Sequence, residues 1–267
     1  MKQIKTLSIV LLVISILIFG AYKGYEYKTQ DNTPPVIYCD LEELVVSVSV
    51  TEEELLEGLY ALDAISGDVT DTLVVEKISP FTEENTRIIT YAAIDAKGNV
   101  GRLTRTLVYT DYETPKFTLS QPLRVPMGKT INLLKTISAS SVVDGDLTDR
   151  IKYSLESTIN VSSTGVYEIV FRVTDSCGHV EYLPLEVEVY DGMEEKLKVT
   201  LTDYLVYHPL NEEFDPMKYY EGSEEEGDLY VISRVNIEEE GVYYVDYELQ
   251  SPNSQGKTRL VVVVKEL

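Results

Sequence analysis

GVYEIVFRVTDSCGHVEYLPLEVEVYD, residues Gly165 to Asp191, holds two runs that alternate at every second position. Tyr167, Ile169, Phe171 and Val173 stand against Glu168, Val170, Arg172 and Thr174. After a break, Leu183, Leu185, Val187 and Val189 stand against Pro184, Glu186, Glu188 and Tyr190. A period of two sends successive side chains to opposite faces, so each run reads as a strand with one buried face. The break is Asp175-Ser176-Cys177-Gly178. Asp favours the first position of a type I turn, where it bonds the backbone, and Gly favours the fourth. The stretch is therefore predicted to be an antiparallel hairpin.

Working outward, the hairpin belongs to a repeat. Asp95-Ala96-Lys97-Gly98 precedes Asp175-Ser176-Cys177-Gly178 by 80 residues, and Thr33-Pro34 precedes Thr114-Pro115 by 81. Gly67-Asp68-Val69-Thr70-Asp71 precedes Gly145-Asp146-Leu147-Thr148-Asp149 by 78, and Asp111 precedes Asp191 by 80. A third, degenerate copy keeps Gly227-Asp228-Leu229 and a Gly-Val-Tyr at Gly241 to Tyr243. Ser251-Pro252-Asn253 stands there in place of the Asp-x-x-Gly turn. In this copy Tyr243, Val245, Tyr247 and Leu249 are the expected inner face and Tyr244, Asp246 and Glu248 the outer one; Leu260 to Val264 supplies the closing strand. A unit of about 80 residues made of short strands and turns closes best as a two-sheet sandwich. Glu52 to Leu62 is the competing helical segment, with Leu55, Leu56 and Leu59 on one face.

The amino-terminal stretch differs. Leu7 to Tyr22, LSIVLLVISILIFGAY, is almost wholly apolar, with Lys2 and Lys5 before it and Lys23 and Lys28 after it. Its length reaches the low end of what spans a bilayer as a helix. Phe19-Gly20-Ala21-Tyr22 offers no clean small-x-small cleavage pair. We read an uncleaved membrane-spanning anchor through Leu7, Val10, Leu12, Ile14, Ile16, Ile18 and Tyr22, with a cytoplasmic amino end and the bulk outside. The expected division is residues 1–30 for tip and anchor, 31–113 for module 1, 114–191 for module 2 and 192–267 for a divergent module 3. The expected fold class is all-β, three tandem immunoglobulin-like β-sandwich modules after the transmembrane helix. Three modules in line would reach on the order of 100 Å.

The ordered markers, from Thr-Pro through Gly-Asp-apolar-Thr-Asp, Gly-Val-Tyr and Asp-x-x-Gly to a closing Asp, resemble bacterial immunoglobulin-like surface repeats related to the HYR and cadherin-like families. The resemblance covers residues 33–191 well and 192–267 loosely. It implies a spacer or adhesion role on secreted and wall-associated proteins, mainly of Gram-positive bacteria, and carries no catalytic residues.

Composition narrows the function. The 267 residues hold 23 basic and 45 acidic side chains, a net charge of −22, which argues against nucleic acid as a partner. Two histidines, His179 and His208, cannot make a three-histidine zinc site, and no nucleotide or nucleophile-elbow motif occurs. No enzyme is expected and no cofactor is assigned. The carboxylates that most invite calcium are Asp144, Asp146, Asp149 and Asp175, with Asp111 and Glu113 at the junction; their plain reading is turn and capping chemistry. A calcium-stiffened adhesion protein and a membrane-assembly partner acting through the helix are the alternatives. The partner is a protein or a cell-wall or surface glycan, besides the membrane itself. Cys39 and Cys177 lie far apart and do not suggest a disulfide framework.

Overall fold

The computed structural model describes residues 2–29, 31–130, 132–155, 158–193, 195–252 and 254–266, with side chains in the first helix described for Ser8 and residues 10–25. The protein is mostly strand, as expected of an all-β chain. It forms two compact units, residues 1–46 with 50–108 and residues 47–49 with 109–267.

Helix α1, Lys2–Thr29, carries the apolar run. Val10, Leu12, Ile14, Ile16, Ile18 and Tyr22 are all exposed, as are Leu11, Val13, Leu17 and Phe19 between them; the side chain of Leu7 lies outside those described. Among the described residues no helix is long and apolar enough to cross a membrane.

The first copy is built from β1 (Val36–Cys39), β2 (Glu43–Val46), β3 (Leu59–Asp63), β4 (Gly67–Asp68), β5 (Val74–Ile78), β6 (Thr86–Ile94) and β7 (Val100–Tyr109). One sheet runs β1-β3-β4 and the other β2-β7-β6-β5. Ile37, Leu59 and Ala61 of the first sheet and Ile89, Tyr91, Ala93 and Leu107 of the second fill the core. The helical reading of Glu52 to Leu62 is corrected. Helix α2 spans only Glu52–Leu55, started by a reciprocal cap between Thr51 and Glu54. Leu59 already begins a strand, because Leu59, Ala61 and Asp63 point inward at a period of two. The Tyr91 hydroxyl donates to the Leu55 carbonyl at 2.9 Å and ties this turn to the core.

The second copy repeats the plan with β8 (Lys116–Leu119), β9 (Arg124–Pro126), β10 (Ile137–Ser141), β11 (Gly145–Asp146), β12 (Lys152–Leu155), β13 (Gly165–Thr174) and β14 (Val180–Tyr190). Its sheets run β11-β10-β8 and β12-β13-β14-β9. The hairpin read from sequence is β13 and β14, paired from Gly165↔Val189 to Thr174↔Val180. Ile169, Phe171, Val173, Leu183, Leu185, Val187 and Val189 are buried. Tyr167, at the open end of the strand, is only half-buried.

The third copy consists of β15 (Val199–Leu201), β16 (Leu205–Pro209), β17 (Tyr220–Ser223), β18 (Asp228–Ser233), β19 (Gly241–Ser251) and β20 (Ser254–Lys265). A two-stranded sheet, β15-β17, faces a four-stranded one, β16-β20-β19-β18. As β9 lies parallel to β14, so β16 lies parallel to β20.

Copies two and three share one unit and do not follow one another in line. Leu260, Val262 and Val264 of β20 enter the third copy's own core. Val261 and Val263, on the opposite face, join Leu205 in the core of copy two. The unbroken run Leu-Val-Val-Val-Val is thus buried on both faces, as such runs are in two-sided strands. Asp246, read from sequence as solvent-facing, is 2% exposed for the same reason.

A close approach fixes copy one. A Cβ at Gly101, on β7, would run into the carbonyl of Pro35. Gly101→Ala is expected to cost about 1–3 kcal/mol through overpacking, read as a lower urea midpoint.

Candidate functional site

The Asp-x-x-Gly motifs make the turns they predict. Asp95 Oδ1 accepts from the backbone N–H of Lys97 and Asn99 at 2.8 Å each, and Gly98 N–H donates to the Asp95 carbonyl at 3.2 Å. In copy two, Asp175 Oδ1 accepts from His179 N–H at 2.9 Å, and Gly178 N–H donates to the Asp175 carbonyl at 3.2 Å. Gly98 and Gly178 sit at φ of +89° and +85°, the left-handed region that favours glycine.

Most of the acids singled out as calcium candidates have local structural work. Asp146 Oδ1 accepts from Thr148 N–H at 2.9 Å, repeating Asp68 with Thr70 at 2.9 Å; Leu147 between them is 1% exposed and anchors the loop. Asp149 lies exposed in the 3-10 turn Thr148–Arg150. Asp144 accepts from Ser176 N–H at 2.8 Å and faces Arg150 at 3.4 Å. Asp111 accepts from the Ser47 hydroxyl at 2.7 Å and Val48 N–H at 2.8 Å. Glu113 pairs with Lys116 at 2.6 Å on an exposed surface, where an ion pair contributes little.

The carboxylates that converge are others. Asp31, Asp63 and Asp95 are 5%, 7% and 6% exposed, and one oxygen from each lies within 4.8 Å of the other two. Asp31 Oδ1 accepts from Thr33 N–H at 3.0 Å and the Thr33 hydroxyl at 2.6 Å. Asp63 Oδ1 accepts from the N–H of Ile65 and Ser66. Asn99 donates through Nδ2 to Asp95 Oδ2 at 2.7 Å and to the Asp31 carbonyl at 3.2 Å. Asp31 Oδ2 and Asp63 Oδ2 are buried with no hydrogen-bond partner. The Ser66 N–H holds the Asp63 carboxyl below its ordinary range, against burial and the Asp95 charge. Burial pushes Asp95 up, but hydrogen bonds from the Asn99 side chain and the N–H of Asn99, Lys97 and Gly98 outweigh it and keep that carboxyl low too. Sequence reading saw Asp95 only as a turn former and passed over Asp31 and Asp63. The signal was Asp31 two residues before Thr33-Pro34, and Asp63 four residues before the Gly67-Asp68 pair.

The repeat supplies an internal comparison. Asp31, Asp63, Asp95 and Asn99 correspond to Tyr112, Ser141, Asp175 and His179. Asp63 pairs with Gly67 across its sheet just as Ser141 pairs with Gly145. In copy two the Tyr112 hydroxyl donates to Asp175 Oδ2 at 2.6 Å. Burial first, and then the Asp175 carboxylate, push that phenol well above its ordinary range, so it remains a donor.

Where copies two and three meet, cations collect. Arg124 bonds Glu188 at 2.8 Å, Glu195 at 2.7 Å and the Lys257 carbonyl at 2.7 Å, with its guanidinium 4.4 Å from the centre of the Tyr190 ring. Arg259 bonds Asp246 at 2.7 Å and Glu186 at 3.1 Å. Lys257 lies 3.4 Å from Asp246 and 3.3 Å from Glu248. Burial raises the Asp246 carboxyl, but Arg259, Lys257 and Arg234 outweigh it and hold it low; burial likewise yields to Arg124 at Glu188. Two tyrosine hydroxyls close the seam, Tyr207 accepting from Phe117 N–H and Tyr244 from Glu186 N–H, each at 2.9 Å.

An open groove of about 580 Å³ lies along β12 of copy two, bordered by Leu134, Tyr153, Arg172 and Tyr182. In the acidic run Glu221 to Asp228, residues 223–228 border a shallow polar depression with Tyr220.

Tyr112→Phe is expected to lower the stability of unit 2 by about 1–3 kcal/mol, since it removes the donor facing a buried carboxylate; chemical denaturation measures it. Asp246 and Glu188 sit below their unfolded values, so their contribution is complete above about pH 5 and is lost as pH falls through the folded values. Asp246→Asn is expected to flatten that acid limb in circular-dichroism melts. It should also cost about 3 kcal/mol at neutral pH by leaving Arg259 under-compensated.

No family profile matches the chain. Two curated proteins share part of it. One is an uncharacterized 81.3 kDa protein of Acholeplasma phage L2, 31% identical over 105 residues, which are 38% of this chain and 14% of that protein. The other is the pesticidal crystal protein Cry22Aa of Bacillus thuringiensis, 29% identical over 126 residues, 45% of this chain and 17% of that protein. The chain thus matches less than a fifth of either relative's length. Solved structures that match include the CBM51-2 and INT domains of Clostridium perfringens ZmpB, at 17% identity over 86% of this chain and 42% of that one, TM-score 0.23. Drosophila N-cadherin EC1-4 matches at 15% identity over 88% and 76%, TM-score 0.23. At these scores the likenesses carry no argument about function.

Proposed function

We propose that the chain is a membrane-tethered, extracellular protein of immunoglobulin-like modules that acts by binding or spacing at a cell surface. The observation that carries the tether is the first helix. Its described aliphatic side chains are exposed all round, from Ile14 at 46% to Leu17 at 66%. A helix that is apolar on every side needs an apolar surrounding, either a protein core or a lipid. The apolar run continues in sequence to Leu7, and Lys2, Lys5, Lys23 and Lys28 flank it. Lys2 and Lys5, ahead of the run, support a cytoplasmic amino end with the strand copies outside.

A binding role suits the surface of the acidic, strand-rich remainder. The β12 groove is a surface open to a partner. Tyr153 at 44% and Tyr182 at 58% exposure give it apolar faces, and Lys152 and Arg172 line it with positive charge in a chain of −22. Such a surface suits a protein segment or an anionic cell-wall glycan. The resemblance of residues 33–191 to bacterial immunoglobulin-like surface repeats supports the same reading.

Deleting residues 1–30 is expected to move the protein from the membrane fraction to the soluble fraction. External protease on intact cells should digest residues after 30 in the full chain. Continued sedimentation of the truncated protein with membranes, or full protection from external protease, would sink this reading.

A further inference from the structure

We infer that copy one holds a calcium ion between Asp31, Asp63 and Asp95. Three buried carboxylates face one another, and each is fixed by hydrogen bonds that use its other oxygen or leave a lone pair for an ion. Asp31 Oδ2 and Asp63 Oδ2 are the decisive atoms. They are buried and meet no donor, in side chains that each bring an oxygen within 4.8 Å of the other two carboxylates. A buried anionic oxygen without a partner is costly, and two beside a third carboxylate call for a cation. No lysine or arginine supplies it among the described hydrogen bonds and ion pairs of these three side chains.

Calcium fits the donors. All are hard oxygens, and oxygens within 4.8 Å of one another can share an ion at 2.3–2.6 Å from each. Magnesium binds at about 2.0–2.1 Å and keeps several waters, which suits a dry three-carboxylate corner less well.

Copy two shows what the same corner looks like without an ion. Tyr112 and Ser141 replace two of the carboxylates, and the Tyr112 hydroxyl donates to the third, Asp175, at 2.6 Å. The loss of charge and the gain of a donor go together. One ion per chain is therefore expected. The inference is independent of the membrane tether and of any partner at the β12 groove.

The test is calorimetric titration of the full chain in detergent micelles, stripped with chelator and then given calcium or magnesium chloride, with melting followed by circular dichroism. One saturable calcium site is expected, with Kd on the order of 0.1–1 mM, weaker binding of magnesium and a rise in melting temperature with calcium. Asp63→Asn and Asp31→Asn keep the Oδ1 acceptor but remove the charged oxygen. Each is expected to weaken calcium binding at least about tenfold while melting no lower than the wild type in chelator, because a like charge has gone. Asp146→Asn in copy two should bind as the wild type does. Absence of saturable calcium binding up to 10 mM overturns the assignment, as does unchanged binding in both copy-one variants. So does equal affinity for magnesium, or loss of binding in Asp146→Asn.

Discussion

Buried negative charge is the constraint on which this protein turns. With 45 acidic and 23 basic residues, it cannot bring strands and loops together without enclosing carboxylates, and each enclosed one must be answered. The three copies answer differently. At the seam of copies two and three, Arg259 and Lys257 meet Asp246, and Arg124 meets Glu188 and Glu195. Within copy two a neutral tyrosine hydroxyl reaches Asp175. In copy one the answer we assign is an ion from solution. Arg124 and Arg259 thus serve the join between copies two and three, whereas the Asp-x-x-Gly turns rely mainly on backbone N–H groups.

The seam also resolves an edge problem. Strand β8 ends its sheet, and β14 meets β9 only from Glu188 to Tyr190, so Phe117 and Glu186 present N–H groups at bare edges. Unpaired edges invite wrong partners. Tyr207 and Tyr244 cover both from the third copy, and burial pushes each phenol up to about 12, so both stay protonated at neutral pH. Lys265 adds a hydrogen bond to Thr114 at 2.9 Å. Polar caps and the apolar pair Val261 and Val263 act together, which makes this contact resemble a core more than a hinge.

Much of this was legible in residue order. The alternation in Gly165 to Asp191 and the Asp-x-x-Gly breaks marked the hairpin, because period and turn chemistry are local properties. Gly67-Asp68 and Gly145-Asp146 recur because both copies need the same short strand there, β4 and β11, folded back on β3 and β10. The carboxylate cluster was hidden because Asp31, Asp63 and Asp95 lie 32 residues apart in turn, and each looks like an ordinary turn or cap alone. Proximity of that kind depends on sheet register, which no short window contains. The acids that drew the eye, Asp144, Asp146 and Asp149, are dense in sequence, and Asp144 and Asp146 each accept from a backbone N–H of their own. The seam left one trace, the five apolar residues Leu260 to Val264, which have no polar face to give to water; the partner for the second face could not be read from them.

That doubly buried strand has a consequence for synthesis. Copy two lacks Val261 and Val263 in its core until β20 has emerged from the ribosome, although its own strands end at Tyr190. Copy one carries no such debt to later residues within its compact unit. As chains grow from the amino end and domains generally fold as units, copy one can settle early, while the other two must wait and then complete together. For some 75 residues of elongation, the apolar side of copy two stays uncovered, and that interval is when this chain is most open to mispairing.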